Sequence, residues 1–266
     1  MTSTHHESPD IRRMLNKVPQ VAAIFWIVKV LATTVGETAA DFLGVNLNLG
    51  LTITTVIMAT LLAFMLVAQF RSERYVPAVY WTAVVLISIV GTLITDNLVD
   101  NFGVPLWLTT AVFAAALAVT FVAWFAVEKT LSIHSIFTTR RETFYWLAVL
   151  FTFALGTAAG DLVAESLDLG YLLSLVVFAV AIAIVTVAYF AFHLNAVLAF
   201  WIAYVLTRPL GASTGDLLSQ SAKDGGLGLG TTGTSLLFLL VILALVTALS
   251  FPGRAVSSRV DVEPTA

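Results

Sequence analysis

Tyr80-Trp81-Thr82-Ala83-Val84-Val85-Leu86-Ile87-Ser88-Ile89-Val90-Gly91-Thr92-Leu93-Ile94-Thr95-Asp96 is the stretch on which the fold turns. An aromatic-Trp pair opens it, a glycine follows ten residues after the Trp, and an aspartate follows fifteen after it. The same frame occurs at Phe25-Trp26 with Gly36 and Asp41, at Tyr145-Trp146 with Gly156 and Asp161, and at Phe200-Trp201 with Gly211 and Asp216. Identical spacing in four copies is an internal repeat. Each copy delivers an acid to an equivalent depth of an otherwise apolar chain, where charge is costly and marks function.

The chain is 59% hydrophobic and 11% charged, with a mean hydropathy of +0.97. Soluble domains carry about 25% charged residues. Apolar runs long enough to cross a bilayer recur along the whole length, which excludes a soluble enzyme with a single anchor. Met1–Glu7 has no basic segment before an apolar one, so no cleaved signal peptide is expected. There is no cysteine, which removes disulfides, thiolate metal sites and redox relays.

The reading is all-α: a polytopic membrane protein of eight transmembrane helices built from four parallel two-helix repeats. The odd helices are expected near 20–43, 79–98, 144–166 and 197–219, and the even ones near 50–69, 107–127, 170–192 and 233–251. The divisions are a tail over 1–19, repeats over 20–75, 76–140, 141–195 and 196–252, and a second tail over 253–266. The Trp-to-Trp spacing runs 55, 65 and 55 residues, and the extra ten of the second copy fall within 129–142. Each two-helix copy crosses and returns, so all copies point the same way through the membrane.

Arg12, Arg13, Lys17, Arg71, Arg74, Lys129, Arg140, Arg141, Arg254 and Arg259 fall on one side and only Lys223 on the other. The positive-inside rule makes both termini cytoplasmic. The four Trp then form a belt at the cytoplasmic interface. The repeat aspartates lie about 22 Å beyond it, at 1.5 Å rise per residue.

Half of the sixteen acids sit at the outer ends of the odd helices: Glu37, Asp41, Asp96, Asp100, Asp161, Glu165, Asp168 and Asp216. Glu37/Asp41, Asp96/Asp100 and Asp161/Glu165 are pairs at i, i+4, on one helix face a turn apart. Like charges so placed repel unless a cation lies between them, and carboxylate oxygens suit Mg²⁺, Ca²⁺ or Mn²⁺. The fourth copy carries Asp216 with Gln220. Around these acids Gly, Thr and Ser predominate, residues that let membrane helices approach closely. The glycines also weaken the helix locally, so an opening beside each aspartate with free carbonyl ligands is expected.

Two cations break the symmetry. Arg208 lies seven residues after Trp201 and precedes Pro209, which is expected to kink its helix. Lys29 lies three residues after Trp26, where it either snorkels to the interface or acts within the bundle. Arg208 and Lys29 either neutralise the acids when no ion is bound or hold an anionic substrate. His5, His6, His134 and His193 pair with no carboxylate at ligand spacing, so zinc is not expected. Gly225–Gly230 reads as a flexible outer linker. No Ser/His/Asp set, HExxH or P-loop is present, so no enzyme chemistry is expected.

The repeated Gly-x₄-Asp helices, clearest in Gly91–Asp96 and Gly156–Asp161, resemble a bacterial family of uncharacterised polytopic membrane-anchored proteins. The resemblance covers about residues 15–252 and implies a bacterial inner membrane. The paired acids are similar in style to those of bacterial manganese-efflux proteins. The functional expectation is a transporter of a metal cation, a divalent one such as Mn²⁺, acting as an exporter. Asp41, Asp96, Asp161 and Asp216 are the metal ligands along a central path. Glu37, Asp100 and Glu165 are further ligands or proton sites, and Arg208 and Lys29 are accessory binding groups. The alternatives are a carrier of a small organic ion bound by Arg208, or a non-transport scaffold. The expected partners are the lipid bilayer, the metal ion as cargo and protons, with no resident cofactor and no nucleic acid.

Overall fold

The computed structural model describes residues 16–46 and 49–250. Among them it has eight long helices and no strand. These are α1 (Ala23–Asp41), α2 (Leu51–Arg71), α3 (Pro77–Asp96), α4 (Leu106–Glu128), α5 (Thr139–Asp161), α6 (Gly170–Phe192), α7 (Ala196–Ser219) and α8 (Thr231–Ser250). All eight are long and apolar enough to span a membrane, as the hydropathy pattern requires. Local chemistry sets their ends. Pro77 starts α3, where its missing N–H costs nothing. Thr138 and Asn195 cap α5 and α7 by accepting backbone N–H groups. Lys129 and His193 close α4 and α6 in the left-handed conformation, each with φ 55°.

The odd helices form a closed inner ring: α1 packs on α3, α3 on α5, α5 on α7, and α7 back on α1. The even helices lie outside, α2 on α3, α4 on α5, α6 on α7 and α8 on α1. The packing pair is thus staggered from the sequence repeat, each outer helix covering the inner helix of the following copy. Short connections, residues 72–76 and 193–195, force this hairpin pairing. Burial follows the same division. Between 56% and 67% of the apolar window of each inner helix is buried, against 6–22% for the outer ones, whose faces meet lipid.

The structure bears on three sequence expectations. The inner helices do not open at their glycines. They stay α-helical to the repeat aspartate, and in the first three copies a π-helical turn begins at the next residue, over Phe42–Asn46, Asn97–Asn101 and Leu162–Ser166. α7 runs unbroken through Pro209, whose ring seats against α5 at Gly156 and Gly160. The Trp residues do not form a lipid-facing belt, because three of the four turn into the bundle. Trp81, Trp146 and Trp201 are buried, and the aromatic pairs interlock around the ring. Phe25 packs on Trp81, Tyr80 on Trp146, Tyr145 on Trp201 and Phe200 on Trp26, with centroids 5.5–6.2 Å apart. The Tyr80 and Tyr145 hydroxyls meet at 2.6 Å. This aromatic ring closes the end of the bundle nearest Lys17, Arg71, Arg74, Lys129, Arg140 and Arg141, termed the basic end. Arg12, Arg13, Arg254, Arg259, His5 and His6 lie outside the described residues.

Candidate functional site

The repeat glycines explain how the ring closes. The residue seven after each Trp presses on the tenth-position glycine of the preceding copy. Ser88 meets Gly36, Phe153 meets Gly91, Arg208 meets Gly156, and Thr33 meets Gly211. A methyl group on Gly36, Gly91 or Gly211 would come within 2.6–2.8 Å of the opposing Cβ. These contacts require glycine for its size.

One turn further, the eleventh position after each Trp holds Glu37, Thr92, Thr157 and Ala212. Arg208 projects into this layer and is 0% exposed. Its Nη1 donates to the Thr33 carbonyl at 2.8 Å. Its Nη2 donates to Glu37 Oε2 at 2.7 Å, to Thr157 Oγ1 at 2.7 Å and to Thr92 Oγ1. One guanidinium therefore ties α7 to every other inner helix, and the small Ala212 leaves it room. The planar fork with its several donors suits this role better than an ammonium. Glu37 is buried and is the acid that neutralises it.

The fifteenth position places Asp41, Asp96, Asp161 and Asp216 around the far end of the ring. Asp216 is buried and the other three are partly exposed. Glu37 lies within Coulombic reach of all four, so they form one electrostatic group around it. Asp100 and Glu165, carried on the π turns, are exposed at the rim, as is Asp168. The three i, i+4 pairs are thus of two kinds. Glu37 lies a turn deeper than its aspartate, whereas Asp100 and Glu165 lie beyond theirs. Gln220 donates to Asp41 Oδ2 at 3.4 Å, joining the fourth copy to the first. Among the described residues no three acids or histidines stand close enough to form a metal-coordination set. Three of the four repeat aspartates reach the surface at this end of the ring.

Lys29 does not snorkel. It is 1% exposed, with Nζ 3.3 Å from Thr207 Oγ1 and over the rings of Phe153 (4.2 Å) and Tyr204 (4.1 Å). An ammonium between two aromatic faces is stabilised by their quadrupoles. No carboxylate contacts Lys29 among the described residues, so of these two cations only Arg208 neutralises an acid. His134 and His193 are exposed. The glycine-rich segment is no free linker: Leu227 N and Gly228 N bond back to the carbonyls of Leu217 and Gln220 at 2.6 and 2.8 Å. Sequence reasoning passed over Thr92 and Thr157 as partners of Arg208. Their shared register with Glu37 was the available signal.

The family model described as a repeat of unknown function, DUF347, matches residues 24–75, 79–130, 144–194 and 199–255. The chain belongs to this repeat family, one match per copy. No curated protein and no solved structure matches it.

Proposed function

We propose that this multi-pass membrane protein is a non-enzymatic carrier of a cation that passes between the acidic mouth and the ring centre. The observation that carries this reading is the gathering of Asp41, Asp96, Asp161 and Asp216 around buried Glu37. Acids held within a membrane bundle are expensive unless they serve an ion path. Arg208 acts as a resident cation: it neutralises Glu37 when cargo is absent and yields it when cargo arrives. The leading cargo is a divalent metal, Mn²⁺ first, since the donors are hard oxygens. Asp100 and Glu165 recruit it at the rim or carry protons, and export is the direction we assign. We assign it to a bacterial inner membrane on the resemblance carried by the Gly-x₄-Asp helices, and the bias of Lys and Arg to one side supports cytoplasmic termini.

Purified protein in proteoliposomes, offered Mn²⁺, Mg²⁺, Ca²⁺ or Na⁺ with and without a pH gradient, tests this. Flux of one ion, abolished by Asp96→Asn in a folded protein, is the expected result. Unchanged flux in that variant removes the mouth from the path. A second reading has its own support: Lys29 lies buried over the rings of Phe153 and Tyr204 and Arg208 lies buried beside Phe153, which suits a small organic ion. Arg208→Gln is then fatal to transport, whereas for a metal carrier it only modulates. A scaffold without transport predicts that the aspartate variants unfold rather than lose an activity.

A further inference from the structure

At the basic end the three connections between hairpin partners are unequal. Two are short, whereas the third runs from Lys129 to Thr138 and contains a 3₁₀ turn, Ile133–Ser135. This insertion does not extend into solvent. Ile133 and Ile136 are buried in the main core cluster. The Leu131 carbonyl accepts from Trp201 Nε1 at 2.9 Å, and the Ile136 carbonyl accepts from Lys17 N at 3.0 Å. The insertion also holds its own shape. Ser135 Oγ donates to the Ser132 carbonyl at 2.7 Å, and Arg141 Nη1 donates to the Ser135 carbonyl at 3.1 Å.

Residues 16–20, leading into α1, lie against it. Lys17 Nζ donates to Glu142 Oε2 at 2.8 Å and to the Phe70 carbonyl at 3.0 Å. Glu142 is wholly buried, and its Oε1 accepts from Gln69 Nε2 at 3.0 Å. One ion pair thus joins the segment before α1, the end of α2 and the start of α5. Apolar groups of similar volume hold such a junction as well or better, so a buried ion pair is weak evidence for mere stability. A charged junction differs in one respect: it lets go once water reaches both ions.

We propose that residues 16–20 and the insertion form the inner gate of the carrier, latched by Lys17 and Glu142. The gate rests on the transport reading for its purpose, but its structure is independent of any cargo. It acts on the aromatic ring through Trp201, whose indole N–H is held by Leu131 and whose ring packs on Tyr145 and Tyr204. Lifting the insertion frees Trp201 and unlocks the ring above it. Because the insertion belongs to one copy only, a single latch governs a fourfold bundle.

The chain has no cysteine, so one introduced thiol gives a clean signal. Val84→Cys places it at a fully buried position one turn past Trp81. Inside-out and right-side-out vesicles are treated with a charged, impermeant thiosulfonate reagent. Labelling is slow from both faces with the latch intact. Glu142→Gln and, separately, Lys17→Met raise the rate at least tenfold from the basic face and leave the other face unchanged. A rise from both faces, or none in either variant, overturns the proposal. A tether separates opening from unfolding. On the Glu142→Gln background, a disulfide between Lys17→Cys and Ile136→Cys, formed before labelling, restores the slow rate at Val84→Cys, and reduction releases it, with labelling of each site read separately by peptide mass. Failure of the tether to restore it also overturns the proposal. Gated labelling in a protein that moves no cation keeps the gate and removes the carrier reading; cation flux without gated labelling does the reverse.

Discussion

Gly156→Ala and Gly160→Ala are the same chemical change one turn apart on α5, and the structure assigns them opposite signs. A Cβ on Gly156 meets Arg208 Cβ at 2.5 Å and Pro209 Cδ at 2.9 Å. Neither atom is the free end of a flexible chain, so α5 and α7 must separate. Overpacking of this kind costs about 1–3 kcal/mol. A Cβ on Gly160 meets Pro209 Cα and Cβ at 3.6 Å and Ala212 Cβ at 3.8 Å, ordinary contact distances. There the change removes glycine's backbone entropy from a helix interior, a gain of roughly 0.5–1 kcal/mol. At about 2–4 °C per kcal/mol for a chain of this size, Gly156→Ala lowers the melting temperature by several degrees, while Gly160→Ala raises it slightly. Thermal unfolding of detergent-purified protein, followed by light scattering and Trp emission, reads both. Under the proposed carrier function, Gly156→Ala also pushes Arg208 off the ring centre, so its loss of cation flux exceeds its loss of folded protein. Equal melting temperatures for the two variants would refute the close-packed ring and the reason given for the repeat glycine.

The ion pair at the centre gives a second test. Arg208→Gln leaves Glu37 charged and buried, and removing one partner of a buried pair costs about 3–5 kcal/mol. Arg208→Gln with Glu37→Gln costs less than the sum of the single changes, and a double-mutant cycle on thermal stability measures the difference. Arg208→Lys does not restore wild-type stability, because an ammonium lacks the planar fork that reaches Thr33, Glu37, Thr92 and Thr157 together. Outside the membrane spans, burial pushes the Tyr75 hydroxyl up to about 12. The stability it contributes is full below its ordinary value near 10 and is lost as pH rises through 12. Tyr75→Phe therefore shows a smaller loss of stability between those pH values, while also losing the acceptor for Trp81 Nε1 at 3.0 Å.

The fold was legible because its signals are local and repeated. Trp, Gly and Asp at fixed spacing announce the copies, and hydropathy announces the spans. What the repeat conceals is the closure: short connections foretell that α2 covers α3, but no sequence signal states that α8 closes onto α1, because ring closure is a property of three-dimensional packing. The Trp belt failed for the same reason. An interfacial Trp and a Trp locked into a neighbouring copy have the same sequence, and only the inner or outer rank of the helix separates them.

The site divides along the same line. The fourfold aspartates stood out and lie at one end of the ring, yet they lack the closeness of a coordination shell. Symmetry explains why: copies at one depth around a ring stay apart unless side chains reach the axis, and aspartate is short. Only a long side chain fills that axis, and one seventh position carries it. Thr33, Ser88 and Phe153 occupy the equivalent places, while Arg208 extends past them to the layer of Glu37, Thr92 and Thr157. Under the proposed carrier function, a cation fixed at the centre of the ring occupies the place where a passing cation would bind, and the residue that departs from the repeat controls access to the residues that obey it.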